Sequence, residues 1–168
     1  MSRYRPPAPR SSPYVTAAGH ARLVAELDAL WVRRRDVVAA LSAAAAEGDR
    51  SENAEYQYRK RELAGIDRRV RYLQKRLPEL KVVATPAGGD AVRFGALVEL
   101  EREDDDGVAT VRARLVGADE IDPATHRVSI DSPLARALLG RRAGDEVELE
   151  VEGRRTRWTV LGIEWPDD

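Results

Sequence analysis

Apolar residues recur at alternating spacings of three and four along two stretches in the first half of the chain. Each stretch contains one charged exception, Arg34 in the first and Arg59 in the second. The average spacing of 3.5 residues is typical of helices that pack along a narrow apolar row, so the sequence predicts two coiled-coil helices. The positions are Leu23, Leu27, Leu30, Arg34, Val37, Leu41 and Ala44, followed by Tyr56, Arg59, Leu63, Ile66, Val70, Leu73, Leu77 and Leu80.

The two predicted helices run in opposite directions because the connection between them is short. Thr16 is suited to cap the first helix, Gly48 to end it, and Asp49 or Ser51 to cap the second. A connection of a few residues joins antiparallel neighbours. We therefore predict a long antiparallel coiled-coil hairpin over residues 14–82, each helix being roughly 45 Å long at about 1.5 Å per residue.

The second half of the chain alternates apolar and polar residues instead, which is typical of strands. A short helix is predicted within it, with Ser132 as the cap and Pro133 in the first turn. The fold class is therefore α+β: a basic, Pro-rich and disordered leader (1–13), the hairpin, a linker (83–90), and a small, mostly antiparallel α+β domain (91–168). The predicted strands are GALVELER, ATVRARLVG, HRVSI, DEVELEVEG and RTRWTVLGIEW.

Charge is distributed unevenly along the chain. Residues 1–81 carry 17 Lys and Arg against 10 Asp and Glu, whereas residues 82–168 carry 11 against 19. From residue 59 to residue 81 the net charge is +6, which is self-repelling unless an anion lies nearby. A solvated flank of the coiled coil is one interpretation, and a sequence-independent contact with phosphates is the other. The candidate contact residues, here called the basic stripe, are Arg59, Lys60, Arg61, Arg68, Arg71 and Lys75.

A small acidic segment, residues 48–55, lies between the two predicted helices. Asp49 and Glu52 have the spacing of a capping box, and acids are favoured in a first helical turn. The same two carboxylates would also lie at the far end of the hairpin. Two carboxylates alone make a poor Mg²⁺ site, since this ion prefers octahedral oxygen ligands that it usually shares with water and phosphate. The segment is thus either a helix cap or an incomplete metal site that a partner completes.

Several classes of protein are excluded by what the sequence lacks. There is no cysteine, so disulfide frameworks and cysteine-ligated zinc sites are absent. No apolar run approaches the roughly 20 residues needed to cross a bilayer, and the leader has no apolar block, so we expect a cytoplasmic protein without membrane contact. No self-sufficient active site is visible. The acid run from Glu103 to Asp106 is predicted to be a hairpin turn rather than a metal site.

Four motifs resemble one known family. GDRSENAEYQY and IDRRVRYLQKRL in the hairpin resemble the GreB branch of the bacterial Gre transcript cleavage factors, and SIDSPLARALLG and GDEVELEV resemble that family's C-terminal domain. The resemblance covers about Tyr14 to Trp165. It implies an FKBP-like C-terminal domain that docks at the rim of the RNA polymerase secondary channel. It also implies a hairpin that enters the channel and stimulates endonucleolytic cleavage of the RNA 3′ end in backtracked complexes.

The resemblance also implies roles for individual residues. Asp49 and Glu52 would help to hold a Mg²⁺ shared with the polymerase and orient the attacking water, with no metal bound stably by the chain alone. The basic stripe would cradle the extruded nascent RNA, and the chain would act as a monomer that is not itself an enzyme. Ser132 and Pro133 match the family's docking loop. The residues expected to support the tip are Ser51, Asn53, Glu55 and Tyr56.

Two alternatives from other functional classes stay open at this point. A factor could bind the same channel and regulate the polymerase without stimulating cleavage, although the presence of both Asp49 and Glu52 argues against this. A coiled-coil adaptor could instead use the basic stripe to bind duplex DNA directly. That protein would show strong, salt-dependent binding to DNA without polymerase.

Overall fold

The computed structural model describes residues 11–46, 54–84, 86, 88–151 and 153–166. The chain divides into two compact units. The helical unit comprises residues 20–80, and the strand-rich unit comprises residues 1–19 together with 81–168. Each unit is described separately below.

The helical unit is a pair of antiparallel helices, as predicted. Helix α1 spans Ala17–Ala46 and α2 spans Ala54–Arg76. Two ion pairs show that the helices are antiparallel. Glu62 of α2 contacts Arg33 of α1, whereas Arg69, which comes later in α2, contacts Glu26, which comes earlier in α1. A short 3₁₀ turn, Leu77–Glu79, follows α2 and contains Pro78 in its first positions, where the missing N–H costs no hydrogen bond of the turn.

A narrow apolar row holds the two helices together. Val37 packs with Ile66 and Val70. These residues occupy the predicted 3.5-residue positions, so the predicted interface between the helices is confirmed. The charged exception Arg34 is accommodated because its Nε donates to Asp67 Oδ1 at 2.7 Å. Further row positions that are buried or packed on this cluster are Leu23, Leu27, Leu30, Ala44, Leu63 and Leu73.

The start of α1 belongs to the strand-rich unit rather than to the helical one. Strand β1 (Tyr14–Val15) pairs in parallel with β2 (Lys81–Val82), and the Thr16 hydroxyl accepts a hydrogen bond from Gly19 N at 2.9 Å. The predicted N-cap is therefore confirmed. Residues 14–19 and 81–82, at the two ends of the predicted hairpin, thus belong to the strand-rich unit.

Glu120 fastens this N-terminal segment to the strand-rich unit. Its side chain is 1% exposed, and its carboxylate accepts hydrogen bonds from Thr16 N at 3.0 Å, Thr16 Oγ1 at 2.6 Å and Gly117 N at 3.0 Å. A buried carboxylate requires such partners because its desolvation is costly. Two glycines make room for it. A Cβ at Gly19 would lie 2.0 Å from Glu120 Oε1, and one at Gly117 would lie 2.1 Å from the Tyr14 carbonyl oxygen.

A five-stranded mixed sheet forms the body of the strand-rich unit. Its strands are β3 (Leu97–Asp104), β4 (Gly107–Val116), β5 (Arg127–Ser129), β6 (Glu146–Val151) and β7 (Arg154–Glu164), in the order β5-β4-β3-β7-β6. The β4–β5 pair is parallel and the other neighbouring pairs are antiparallel. The sheet is therefore mostly antiparallel, as predicted, and the predicted α+β class is confirmed.

The short helix α3 (Pro133–Leu138) covers the sheet. Ser132 caps it by accepting a hydrogen bond from Ala135 N at 3.1 Å, and Leu138 is fully buried in the core. Other core residues are Val92, Ala96, Val98, Leu100, Ala113, Leu115, Ala135, Val147 and Val160. The acid run ends β3 with Glu103 and Asp104 and forms the predicted hairpin turn with Asp105 and Asp106, where Asp106 N donates to Asp104 Oδ1 at 3.1 Å.

The close approach of the Tyr14 carbonyl oxygen to Gly117 leaves no room for a side chain at residue 117. Gly117→Ala should lower the free energy of unfolding by about 2–3 kcal/mol, because the new methyl group would collide with the Tyr14 backbone next to a buried carboxylate. Gly88→Ala is the matched control, since a Cβ at Gly88 meets no atom within 4 Å. The measurement is chemical denaturation of both variants and the parent. Equal stability of the two variants would mean that β1 can move away from Gly117 at little cost.

Candidate nucleic-acid interface

Helix α2 places most of the basic stripe on solvent-exposed positions. Lys60, Arg61, Arg68, Arg71 and Lys75 are all exposed. Within the described ranges, no carboxylate lies within ion-pair distance of these five cations. The Arg61 guanidinium donates instead to the backbone carbonyl of Gln57 at 3.3 Å. These five side chains thus present positive charge that no described carboxylate of the helical unit neutralises.

Arg59, the sixth residue of the basic stripe, has a different environment. Its Nε donates to Glu55 at 2.7 Å and its Nη1 donates to Glu62 at 3.1 Å. These two hydrogen bonds, the one to Glu55 first, raise the pKa of Arg59 above its usual value. Glu62 also accepts from Arg33 Nε on α1 at 2.9 Å. Arg59 therefore belongs to an ion-pair network that crosses from α2 to α1.

A second cross-helix ion pair fixes Arg69. Its guanidinium donates two hydrogen bonds to the Glu26 carboxylate, Nε at 2.6 Å and Nη2 at 2.8 Å. This fork geometry is the strong form of an arginine–carboxylate contact. The hydrogen bond from Arg69 is the main cause that lowers the pKa of Glu26, and the one from Arg33 does the same for Glu62. Both carboxylates thus stay ionised to a lower pH in the folded protein.

Three exposed aromatic rings of the helical unit each have an arginine over one face. The guanidinium carbon of Arg59 lies 5.3 Å from the ring centre of Tyr58, and that of Arg69 lies 5.2 Å from Tyr72. On α1, Arg34 lies 5.9 Å from the Trp31 ring. These distances are within the range of favourable cation–π contacts. Tyr58 and Tyr72 were not among the predicted site residues, although their separation of 14 residues, two heptads, is visible in the sequence.

The predicted acidic tip lies largely outside the described residues. Asp49, Ser51, Glu52 and Asn53 fall in the segment 47–53 that joins α1 to α2. Glu55 and Tyr56 are described and occupy the first turn of α2. Because Glu55 accepts the hydrogen bond from Arg59, its carboxylate is engaged within the helix.

The predicted docking residues lie together at the start of α3. Ser132 is partly buried because its hydroxyl caps the helix, whereas Pro133 is exposed. The preceding residue, Asp131, accepts a hydrogen bond from Ser12 N at 2.8 Å. This contact ties the chain just before β1 to the α3 cap.

The described residues show no arrangement for holding a metal ion and no membrane-spanning helix. In that part of the chain, no group of three or more His, Cys, Asp or Glu side chains is arranged to hold a metal ion. Among the same residues, no helix combines the length and the apolar character needed to span a membrane.

Comparison with known proteins gives matches along almost the whole chain. Residues 13–82 match the family described as "Transcription elongation factor, N-terminal", and residues 86–165 match "Transcription elongation factor, GreA/GreB, C-term". Transcription elongation factor GreB of Xanthomonas axonopodis pv. citri is 56% identical over 167 residues, which cover 98% of each chain. GreB of Pseudomonas aeruginosa is 52% identical over 168 residues, covering 99% of this chain and 98% of that one. The solved structure of the transcription factor Gfh1 aligns with a TM-score of 0.44 and 26% identity, covering 92% of this chain and 97% of that one.

The lowered pKa values of Glu26 and Glu62 predict how the helix pair responds to acid. A carboxyl group whose pKa is lower in the folded than in the unfolded chain stabilises the fold above its ordinary pKa of 4.5, and this contribution is lost as the pH falls through the lowered value. The double variant Glu26→Gln/Glu62→Gln should therefore be less stable than the parent at neutral pH. The difference should shrink as the pH falls below the ordinary pKa of 4.5 and through the lowered values.

Thermal unfolding followed by the helical circular-dichroism signal measures this difference at each pH. The matched control is Glu146→Gln/Glu150→Gln, which removes the same charge from two exposed carboxylates that form no ion pair with any described residue. This control should change helix stability little at any pH. A constant difference between the first double variant and the parent across the pH range would show that the two ion pairs do not stabilise the helix pair.

Proposed function

The chain belongs to the GreA/GreB family of transcription elongation factors, and we propose that it stimulates cleavage of RNA by RNA polymerase. Its helix pair enters the polymerase secondary channel and acts on complexes whose RNA 3′ end has been extruded by backtracking. The observation that carries this proposal is that the helical unit combines unpaired positive charge with two acids in one connecting segment. Five exposed cations on α2 have no intramolecular carboxylate partner among the described residues, and the segment that joins α2 to α1 contains Asp49 and Glu52.

Asp49 and Glu52 are the groups that act in the cleavage reaction. Two carboxylates supply at most four oxygen atoms, whereas Mg²⁺ takes six ligands in near-octahedral geometry. This donor set therefore fits an ion that the polymerase and water also ligate, rather than a metal site of the isolated chain. Asp49 and Glu52 would hold this ion, which when bound would supply stabilisation of the charge that develops during an in-line displacement at phosphorus. The two carboxylates would also accept a hydrogen bond from the attacking water and so orient it.

The residues next to the two acids have supporting roles. Glu55 is committed to Arg59 in the first turn of α2, so it is assigned a supporting role and not a metal-binding one. Ser51 and Asn53 shape the connecting segment. Tyr56 lies at its base, on the first turn of α2.

The strand-rich unit supplies the docking surface. Ser132 fixes the start of α3 through its cap, and Pro133 is held exposed beside it. A rigid, exposed turn of this kind can fit the outer rim of a channel without an ordering cost on binding. The chain thus lends carboxylates and positive charge to the polymerase, acts as a monomer, and has no complete active site of its own.

The expected result of removing the acids is a loss of cleavage without a loss of binding. Asp49→Ala/Glu52→Ala should lower stimulated RNA cleavage in stalled polymerase complexes by about 100-fold or more, because metal-ion catalysis contributes several kcal/mol to the transition state. Affinity for the polymerase should change little. Cleavage is measured on labelled RNA in halted complexes, and binding is measured by competition with the parent protein.

The matched control is Asp105→Ala/Asp106→Ala, which removes two exposed carboxylates from the turn between β3 and β4. This variant should stimulate cleavage as the parent does. Normal cleavage by Asp49→Ala/Glu52→Ala would contradict the assignment of the acids. Loss of both cleavage and binding would instead assign them to docking.

A further inference from the structure

One face of α2 combines aromatic rings with basic groups in a regular order. Its residues follow one another at spacings of three and four and lie within about 100° of the helix circumference. The face points away from the apolar row, where Ile66 and Val70 are buried. Its members, here called the aromatic–basic face, are Tyr58, Arg61, Gly65, Arg68, Tyr72 and Lys75.

The two tyrosines of this face are large rings left in contact with solvent. Tyr58 is 54% exposed and Tyr72 is 45% exposed. They therefore contribute little to the buried core of the helical unit. Exposed single aromatics are common on proteins, but these two are separated by two heptads with cations between and beyond them. Their spacing along the axis is about 21 Å at about 1.5 Å per residue.

Each ring is also held in place by an anchored arginine. Arg59 lies over Tyr58 and is itself fixed by Glu55 and Glu62. Arg69 lies over Tyr72 and is fixed by the two hydrogen bonds to Glu26. A ring supported in this way loses little conformational freedom when a second planar group stacks on it. Preorganisation of this kind favours binding.

Gly65 lies midway along the face and has no steric reason to be a glycine. A Cβ at this position would meet only Arg68 Nη2, at 3.9 Å, which is ordinary contact distance. Glycine in the middle of a helix is destabilising relative to alanine. The glycine leaves the helix surface between the two tyrosines without a side chain, so a bound strand can approach the backbone there.

We propose that Tyr58 and Tyr72 are further RNA-binding residues: bases of the single strand expected to lie along the basic stripe stack on these two rings, and its phosphate backbone crosses at Gly65. Arg61, Arg68 and Lys75 contact the phosphates. Alternation of rings and cations is the arrangement by which proteins bind single strands without sequence preference. This inference rests on the proposed function in that the ligand is the extruded RNA, and it adds stacking to the charge contacts expected of the basic stripe.

Single-stranded RNA is favoured over duplex because paired bases present no accessible face to a tyrosine ring. It is favoured over a protein surface by the charge of the face. Arg61, Arg68 and Lys75 are cations without an ion-pair partner among the residues described, and no acid belongs to the face. A polyanion with planar groups spaced along it matches this pattern.

The test measures binding of the full-length chain to a fluorescent single-stranded RNA of about ten nucleotides at low salt. Tyr58→Leu and Tyr72→Leu should each weaken binding about 10-fold, and the corresponding Phe variants should bind as the parent does, since stacking needs the ring and not the hydroxyl. The salt dependence should be unchanged in the Leu variants. Arg68→Gln should instead reduce the slope of log K against log salt by about 0.7.

Trp31→Leu is the matched control for the tyrosine variants. Trp31 is 40% exposed and also has an arginine over its ring, but it lies on α1. This variant should bind RNA as the parent does. An equal loss of affinity in Trp31→Leu and Tyr58→Leu would overturn the proposal, because any exposed aromatic ring would then account for binding.

Gly65→Leu separates the effect on folding from the effect on binding. It should raise the melting temperature, since leucine is a better helix former than glycine. It should also weaken RNA binding, since the leucine side chain would occupy the space between the two rings where the strand crosses. Binding at the parent's affinity by Gly65→Leu would contradict a strand that crosses the helix at this point.

The outcomes distinguish this inference from the proposed function. If the Leu variants of both tyrosines bind RNA normally but bind polymerase more weakly, the face is a protein contact and the RNA proposal fails, while the cleavage role of Asp49 and Glu52 is unaffected. If Asp49→Ala/Glu52→Ala cleaves normally, the cleavage role fails. The binding of free RNA to the aromatic–basic face is measured without polymerase and stands or falls separately.

Discussion

The burial of one narrow apolar row is the constraint on which the helical unit depends. Val37, Ile66 and Val70 form its centre, and a two-helix unit has no other layer in which to bury side chains. Every remaining helix position therefore faces solvent or a partner. Excess positive charge on α2 would oppose the pairing, so acids on both helices hold part of it. Glu26 binds Arg69, and Glu62 binds Arg33 and Arg59. The cations that stay unpaired within the described chain are those available to a ligand.

The difference between paired and unpaired cations explains why the basic residues of α2 have different roles. Arg59 and Arg69 are used within the protein, where they join the helices and support the Tyr58 and Tyr72 rings. Lys60, Arg61 and Arg68 point outward. Composition alone would count them all as nucleic-acid contacts. The separation between structural and ligand-binding cations appears only when the partners on α1 are known.

The sequence was sufficient for features that depend on local chemistry. The 3.5-residue spacing predicted the buried row, Thr16 and Ser132 proved to be helix caps, and the acid run proved to lie at the hairpin turn between β3 and β4. Features that depend on distant residues could not be predicted. Glu120 lies in a segment, GADEIDPAT, that has the composition of a solvated loop, yet its carboxylate is buried against Thr16. The pairing of Arg59 with Glu62 and Arg33 depends on the register of two helices, which spacing along one chain does not give.

The hydrogen bonds between Glu120 and Thr16 also affect the order in which the chain folds during synthesis. The two residues are 104 positions apart, so on the ribosome the first turn of α1 emerges long before the carboxylate that receives its hydrogen bonds. β2, the partner strand of β1, is synthesised before Glu120, but until Glu120 follows, the Thr16 amide is satisfied by water or by transient partners. The start of α1 is therefore fixed only when the Glu120 carboxylate accepts the hydrogen bonds from Thr16.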